Sequence, residues 1–107
     1  MSKARAHRFC IQVERLGDLR DRQGAPLTFE VENHDDLLEI IGRVSAGTTF
    51  TRNQASALAL GVKLLGSVAL EHRHDPLFAD IQPALRAFIG DLKSRVATSI
   101  RLAAAPN

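Results

Sequence analysis

The sequence contains no tryptophan, no tyrosine and a single cysteine, Cys10. One cysteine excludes an internal disulfide and is typical of a reducing compartment, so we expect a cytoplasmic protein. Only five phenylalanines accompany a hydrophobic fraction of 45%, and that fraction lies well above the range of disordered chains. We therefore expect an aliphatic core, and a chain of 107 residues is long enough for one domain.

The sequence also lacks a charged-then-apolar leader and a long uninterrupted apolar run. Its most apolar stretch, residues 55–70, is interrupted by Lys63 and is rich in glycine and alanine. This stretch is too polar for a membrane span and predicts a buried helix instead. We expect no membrane partner.

Net charge is only +2, but basic residues are in excess over residues 1–26 and acidic residues over residues 27–47. Such zoning favours self-association or the steering of a charged partner. It does not favour nucleic-acid binding, because no stacking aromatic side chain shares the solvent face with the basic candidates. These candidates are Lys3, Arg5, Arg8, Arg20 and Arg22.

Residues 27–41, LTFEVENHDDLLEII, change from the period of a strand to that of a helix. Apolar and polar residues alternate from Leu27 to Val31, which predicts a half-buried strand. A similar alternation over residues 7–16 predicts a first strand, and the intervening residues 17–26 contain the glycines and proline of a connection. The two strands are therefore predicted to form an antiparallel hairpin. Because a two-stranded ribbon is unstable alone, we expect helices to cover its apolar face.

Helical spacing of apolar residues predicts three helices after the hairpin, over residues 35–45, 53–72 and 83–102. Gly47 is suited to a left-handed cap after the first helix. The second helix carries apolar residues on more than one face, so we expect it to be the central one. Pro76 ends that helix, and the turn after it is expected to direct Leu77 and Phe78 inward. Pro83 suits the first turn of the third helix.

The predicted fold is α+β in the order ββααα, with a β-hairpin packed against three α-helices. Residues 48–52 are β-prone and would add a short third strand, unless Thr51 or Asn53 caps the second helix instead. The predicted organisation is a flexible basic arm, a single domain, and a helix end with a frayed tail, over residues 1–6, 7–95 and 96–107.

Three segments resemble the bacterial family catalogued as domain of unknown function 3861, namely LTFEVENHDDLLEII, ASALALGVKLLGSVAL and HDPLFADIQPALRAFI, in this order and spacing. The resemblance spans residues 7–95. Its most specific elements are Asn33-His34-Asp35-Asp36 and Asp75-Pro76-Leu77-Phe78. The resemblance implies a compact α+β domain in the bacterial cytoplasm. No activity or cofactor can be inferred from it.

Histidines and aspartates occur at two predicted junctions, and both residue types are suitable ligands for a divalent transition metal. However, no HExxH spacing is present, and histidines two residues apart point in different directions on a helix. The alternative is that the first group caps helix 1 and the second lies at the C-terminus of helix 2, where its dipole favours histidine. The metal candidates are His34, Asp35, His72, His74 and Asp75.

Cys10 is the only candidate thiol nucleophile. Its position on the strand, opposite the apolar face and without an adjacent helix N-terminus, favours an ordinary strand cysteine. Local spacing does not assemble a nucleophile, a base and an orienting group, so the sequence predicts neither an enzyme nor a cofactor.

Two classes of function remain open. The first is a non-catalytic interaction module that binds a second copy, or another protein, through the exposed edge of the hairpin. The second is a small metal-binding protein or enzyme with its site at the His/Asp junctions. We favour the first class and expect Arg8, Glu30 and Glu32 to contribute to the interaction surface.

Overall fold

A computed structural model describes residues 6–17 and 24–104, with side chains as far as residue 99. The elements follow the order ββααα, which confirms the predicted α+β class and the hairpin followed by three helices. They are β1 (His7–Val13), β2 (Leu27–Asn33), α1 (Leu37–Gly47), α2 (Arg52–Glu71) and α3 (Ile81–Ala104), with a 3₁₀-helix at Pro76–Phe78 between α2 and α3.

The chain forms two compact units that divide after Asp36, and we call them the hairpin unit and the helical unit. The packing of the hairpin against the helices stays a prediction, as do the boundaries of a single domain. The predicted basic arm lies outside the described residues except for its last residue. At the other end, α3 continues to Ala104.

β1 and β2 pair antiparallel, with Cys10 opposite Glu30 and Phe9 opposite Val31. This register aligns the two alternating patterns, because facing residues of paired strands project on the same side of the sheet. The apolar side chains of both strands therefore share one face of the hairpin, and the charged ones share the other.

Two glycines with positive φ lie in the connection between the strands. Gly17 has a φ of 141° and Gly24 a φ of 87°, values that cost glycine little because it has no Cβ. Residues 18–23 of the connection lie outside the described part of the chain.

Side chains on the apolar face of the hairpin differ in exposure. Phe9, Ile11 and Val31 are half-buried, whereas Val13 and Leu27, which face each other at one end of the ladder, are 57% and 62% exposed. The hairpin therefore keeps apolar area accessible beside its strand edges.

α1 is the middle element of the helical unit, since it packs against both α2 and α3 while those two helices touch over only a few residues. The core forms at these contacts, from Val44, Ala55, Ala59 and Val96. The prediction that the second helix is central is therefore wrong. The fully buried residues of α2 are alanines, whereas its larger side chains range from Leu58, which is partly buried against the core, to Leu70 at 66% exposure.

Gly47 is buried at the end of α1, where α3 crosses it. A Cβ built on Gly47 would lie 2.9 Å from both the Cα and the Cγ1 atom of Val96. Among the described residues, the backbone has positive φ only at Gly17 and Gly24, so the prediction of a left-handed cap at Gly47 is wrong. Glycine is needed there because the backbone of α3 approaches closely.

Thr51 caps α2 with a reciprocal pair of hydrogen bonds. The Gln54 N–H donates to Thr51 Oγ1 at 3.1 Å, and the Thr51 N–H donates to Gln54 Oε1 at 3.0 Å. This capping box satisfies two donors that would otherwise be unpaired at the helix start. It confirms Thr51 as the cap, and the described residues contain a sheet of two strands without a third at residues 48–52.

Asp75 and Pro76 interrupt the helical pattern as the sequence predicts. The Leu77 N–H donates to Asp75 Oδ1 at 2.9 Å, and Pro76 occupies the start of the 3₁₀-helix. Phe78 is half-buried, but Leu77 is 76% exposed, so the expectation that both point inward is wrong for Leu77. Successive residues of a 3₁₀-helix project about 120° apart, which prevents both from facing the same side.

Candidate functional site

Arg8 and two glutamates form a charged group on the solvent face of the hairpin. Arg8 lies directly opposite Glu32 and diagonal to Glu30, and its guanidinium donates a hydrogen bond to the Glu30 carboxylate. That hydrogen bond, followed by the charges of Glu30 and Glu32, raises the pKa of Arg8 above its ordinary value. The three predicted interaction residues therefore lie together on one surface.

This charged group remains open to solvent. The Arg8 and Glu30 side chains are 70% and 68% exposed, and exposed ion pairs add little to stability because water screens them. Their charges are consequently accessible to a partner.

Within the described part of the chain, each strand of the hairpin has one edge without a strand neighbour. The sheet contains only β1 and β2 among the described residues, so each strand has a hydrogen-bonded neighbour on one side. Along such an edge, alternate residues direct their main-chain N–H and C=O groups away from the sheet. These groups can bind an added strand, and the apolar face beside them can extend across it.

Cys10 is exposed at the midpoint of β1. Because successive side chains of a strand point to opposite faces, Cys10 lies on the solvent face with Arg8 and Gln12. The histidine of β1, His7, lies on the other face, where its ring centroid is 6.2 Å from that of Phe9. β1 itself therefore supplies no imidazole base to the Cys10 thiol.

The five metal candidates occupy two places along the chain. His34 and Asp35 follow β2, whereas His72, His74 and Asp75 lie between α2 and the 3₁₀-helix. Within residues 6–17 and 24–104, no group of three or more His, Cys, Asp or Glu side chains is placed to hold a metal ion. The structure does not assemble these candidates into such a group.

Local capping accounts for several of these polar residues. The Asp35 N–H donates to Asn33 Oδ1 at 3.0 Å, so Asn33 rather than His34 organises the junction, and α1 begins at Leu37. His72 is the C-cap of α2, and its backbone N–H donates to the Val68 carbonyl at 3.1 Å. The position of His72 agrees with the structural alternative for the second junction, whereas at the first junction the side-chain acceptor is Asn33 and not a metal candidate.

Sequence reasoning missed the role of Gln82. Its Nε2 donates to the carbonyl oxygens of Ala69 at 3.4 Å and Arg73 at 3.3 Å. A side chain in the first turn of α3 thus satisfies acceptors at the end of α2, where helical carbonyls lack partners. In the sequence, a glutamine shortly after a helix break is the only indication of this role. Its carbonyl partners cannot be inferred from the pattern of side chains.

Two open clefts lie on the surface. One is lined by residues 13–15 and 24–27 of the hairpin unit, and the other by residues 46–50 with Arg95 and Ser99 in the helical unit. Neither lining contains a histidine or a cysteine, so neither cleft provides an imidazole base or a thiol nucleophile.

Most of the basic candidates lie outside the described residues. Lys3, Arg5, Arg20 and Arg22 lie outside the described residues, and Arg8 is hydrogen-bonded to Glu30. The expectation that the chain does not bind nucleic acid stays a prediction. No helix in the described part of the chain has the length and apolar character that a membrane crossing requires.

Comparison with known proteins identifies one family and one solved structure. The profile of the family described as a domain of unknown function with a solved structure, DUF3861, matches residues 7–94. The crystal structure of a protein of unknown function from Pectobacterium atrosepticum SCRI1043, at 2.20 Å resolution, is similar with a TM-score of 0.73 and 31% sequence identity. The match covers 84% of this chain and 99% of that one. A search of curated proteins finds no match.

Proposed function

This chain belongs to the DUF3861 family, and from that premise we propose that it is a non-catalytic interaction module which self-associates through the edge of its hairpin. The family description carries no activity, so the proposal depends on the surface of the chain. The observation that carries it is the two-stranded sheet, in which both strands have an edge without a strand neighbour among the described residues.

The hairpin has the two features that strand addition requires. Its edges offer main-chain donors and acceptors, which supply affinity. Val13 and Leu27 remain more than half exposed on its apolar face, and an added strand extends this face so that apolar side chains of neighbouring strands can contact each other. A second hairpin would bring the same two features, so a second copy matches this surface in both its polar and its apolar parts.

The charges of the hairpin support self-association rather than an acidic or basic ligand. Arg8 and its neighbouring glutamates place both signs of charge on one exposed face. A surface with both signs can complement a copy of itself, whereas a surface of one sign repels its copy. The single cysteine supports a setting in the bacterial cytoplasm.

Light scattering coupled to size-exclusion chromatography tests this proposal on the full chain. The expected result is a mass of twice the chain at high micromolar concentration, which falls toward the chain mass on dilution. A mass of one chain at every concentration would overturn self-association.

A further inference from the structure

We propose that two copies of this chain pair through β1, edge to edge and antiparallel, to form a four-stranded sheet with the order β2-β1-β1-β2. The inference rests on the proposed self-association and names the edge and the register that it uses. Its basis is the pattern of side chains along the two strands and the charges that each edge would bring together.

Full overlap of the two β1 strands defines the proposed symmetric register. The strand has seven residues, His7–Val13, with Cys10 at its midpoint. Full overlap of two antiparallel copies places Cys10 opposite Cys10 of the second copy and Phe9 opposite Ile11. A two-fold axis perpendicular to the sheet keeps the apolar faces of both copies on the same side. A slip of one residue would place apolar side chains opposite polar ones, so that register is disfavoured.

Charge distinguishes β1 from β2 as the paired edge. In the β1 arrangement the solvent-face pairs are Arg8 with Gln12, twice by symmetry, and Cys10 with Cys10, so no like charges meet. The same full overlap of β2 (Leu27–Asn33) is centred on Glu30 and places two Glu30 carboxylates directly opposite each other. Like charges at facing positions are destabilising, so full overlap favours the β1 edge over the β2 edge.

Pairing of β1 with β2 of another copy is the remaining arrangement. It would bring Arg8 toward glutamates, but it is heterologous, so every added copy presents the same unpaired edge again. Such contacts add further copies without closing. The symmetric β1 pair instead uses both β1 edges and closes as a dimer.

Two substitutions at Gln12 test the β1 pair by the sign of the charge they introduce. Gln12 is exposed and faces Arg8 of the second copy in the proposed register, whereas its neighbour within the chain is Thr28. Gln12→Glu should strengthen the dimer by about 2- to 30-fold in dissociation constant, and Gln12→Lys should weaken it by a similar factor, since two symmetry-related pairs change at once.

The matched controls are Thr28→Glu and Thr28→Lys, at the exposed position directly opposite Gln12 on β2. Both should leave the dissociation constant within about twofold of the native value, because exposed groups distant from a contact are screened. Thermal melting of each variant verifies that the fold is retained.

The outcomes separate this inference from the proposed function. A dimer that responds to the sign of charge at residue 12 and not at residue 28 supports the β1 pair. A dimer strengthened by Thr28→Lys and weakened by Thr28→Glu would overturn it in favour of the β2 edge, because residue 28 then faces Glu32. Species that grow beyond a dimer with concentration would overturn it in favour of the heterologous contact. A monomeric native chain would overturn both proposals.

Discussion

The Cα atom of Val96 in α3 lies so close to Gly47 in α1 that a Cβ on the glycine would approach it to 2.9 Å. Gly47→Ala forces this contact apart, so we predict a loss of about 1–3 kcal/mol in the free energy of unfolding, typical of overpacking. Chemical denaturation measures this loss. Gly42→Ala in the same helix is the control, because a Cβ there meets nothing within 4 Å, and it should gain about 0.5–1 kcal/mol.

The central position of α1 predicts that its buried valine matters more than an exposed valine of α2. Val44 is 4% exposed and Val68 is 47% exposed. Val44→Ala removes buried methyl groups and leaves a cavity, so it should cost about 2–3 kcal/mol. Val68→Ala should cost less than about 1 kcal/mol. Equal losses in urea denaturation would contradict the placement of Val44 in the core.

The capping box at Thr51 should contribute measurably to the helical unit. Thr51→Ala removes the acceptor for the Gln54 N–H, and the loss of such a cap costs about 0.5–2 kcal/mol. Thr49→Ala, at an exposed position in the preceding segment, is the control and should change stability by less than about 0.5 kcal/mol. An indistinguishable unfolding midpoint for the two variants would show that the cap is not needed.

Local patterns predicted most of the secondary structure. Alternation from Leu27 to Val31 corresponds to β2, and Thr51 and Asp75 cap where their side chains can accept a hydrogen bond from a nearby N–H. These features depend on residues within three positions of each other, so they are legible in the sequence. α1 begins at Leu37, two residues after the predicted start, because Asn33 and Asp35 form a hydrogen-bonded turn before the helix.

The packing of the helices could not be predicted from local sequence patterns. Large apolar residues made α2 resemble a central helix, but its fully buried core residues are Ala55 and Ala59, and small side chains give no strong hydrophobic signal. Similarly, Gly47 has a role that depends on α3 passing beside it. Such positions are defined by a distant backbone, which a local pattern does not contain.

The candidate site was partly predictable. An exposed hairpin edge follows from two strands in a short chain, and Arg8 was correctly placed among exposed charged residues. The pairing of Arg8 with Glu30 could not be predicted, because it depends on the register of the two strands. A connection as long as residues 17–26 permits several registers.

The rate of disulfide formation at Cys10 tests the β1 pair most directly. Facing Cα atoms in antiparallel strands are about 4.5–5.5 Å apart, within the range that a disulfide spans. Mild oxidation at high micromolar concentration should therefore convert the native chain to a covalent dimer. The control, Cys10→Ser with Thr28→Cys, moves the single thiol to the exposed position 28 on β2. We predict that the native chain crosslinks at least tenfold faster than this control, and equal rates or faster crosslinking of the control would contradict pairing through β1.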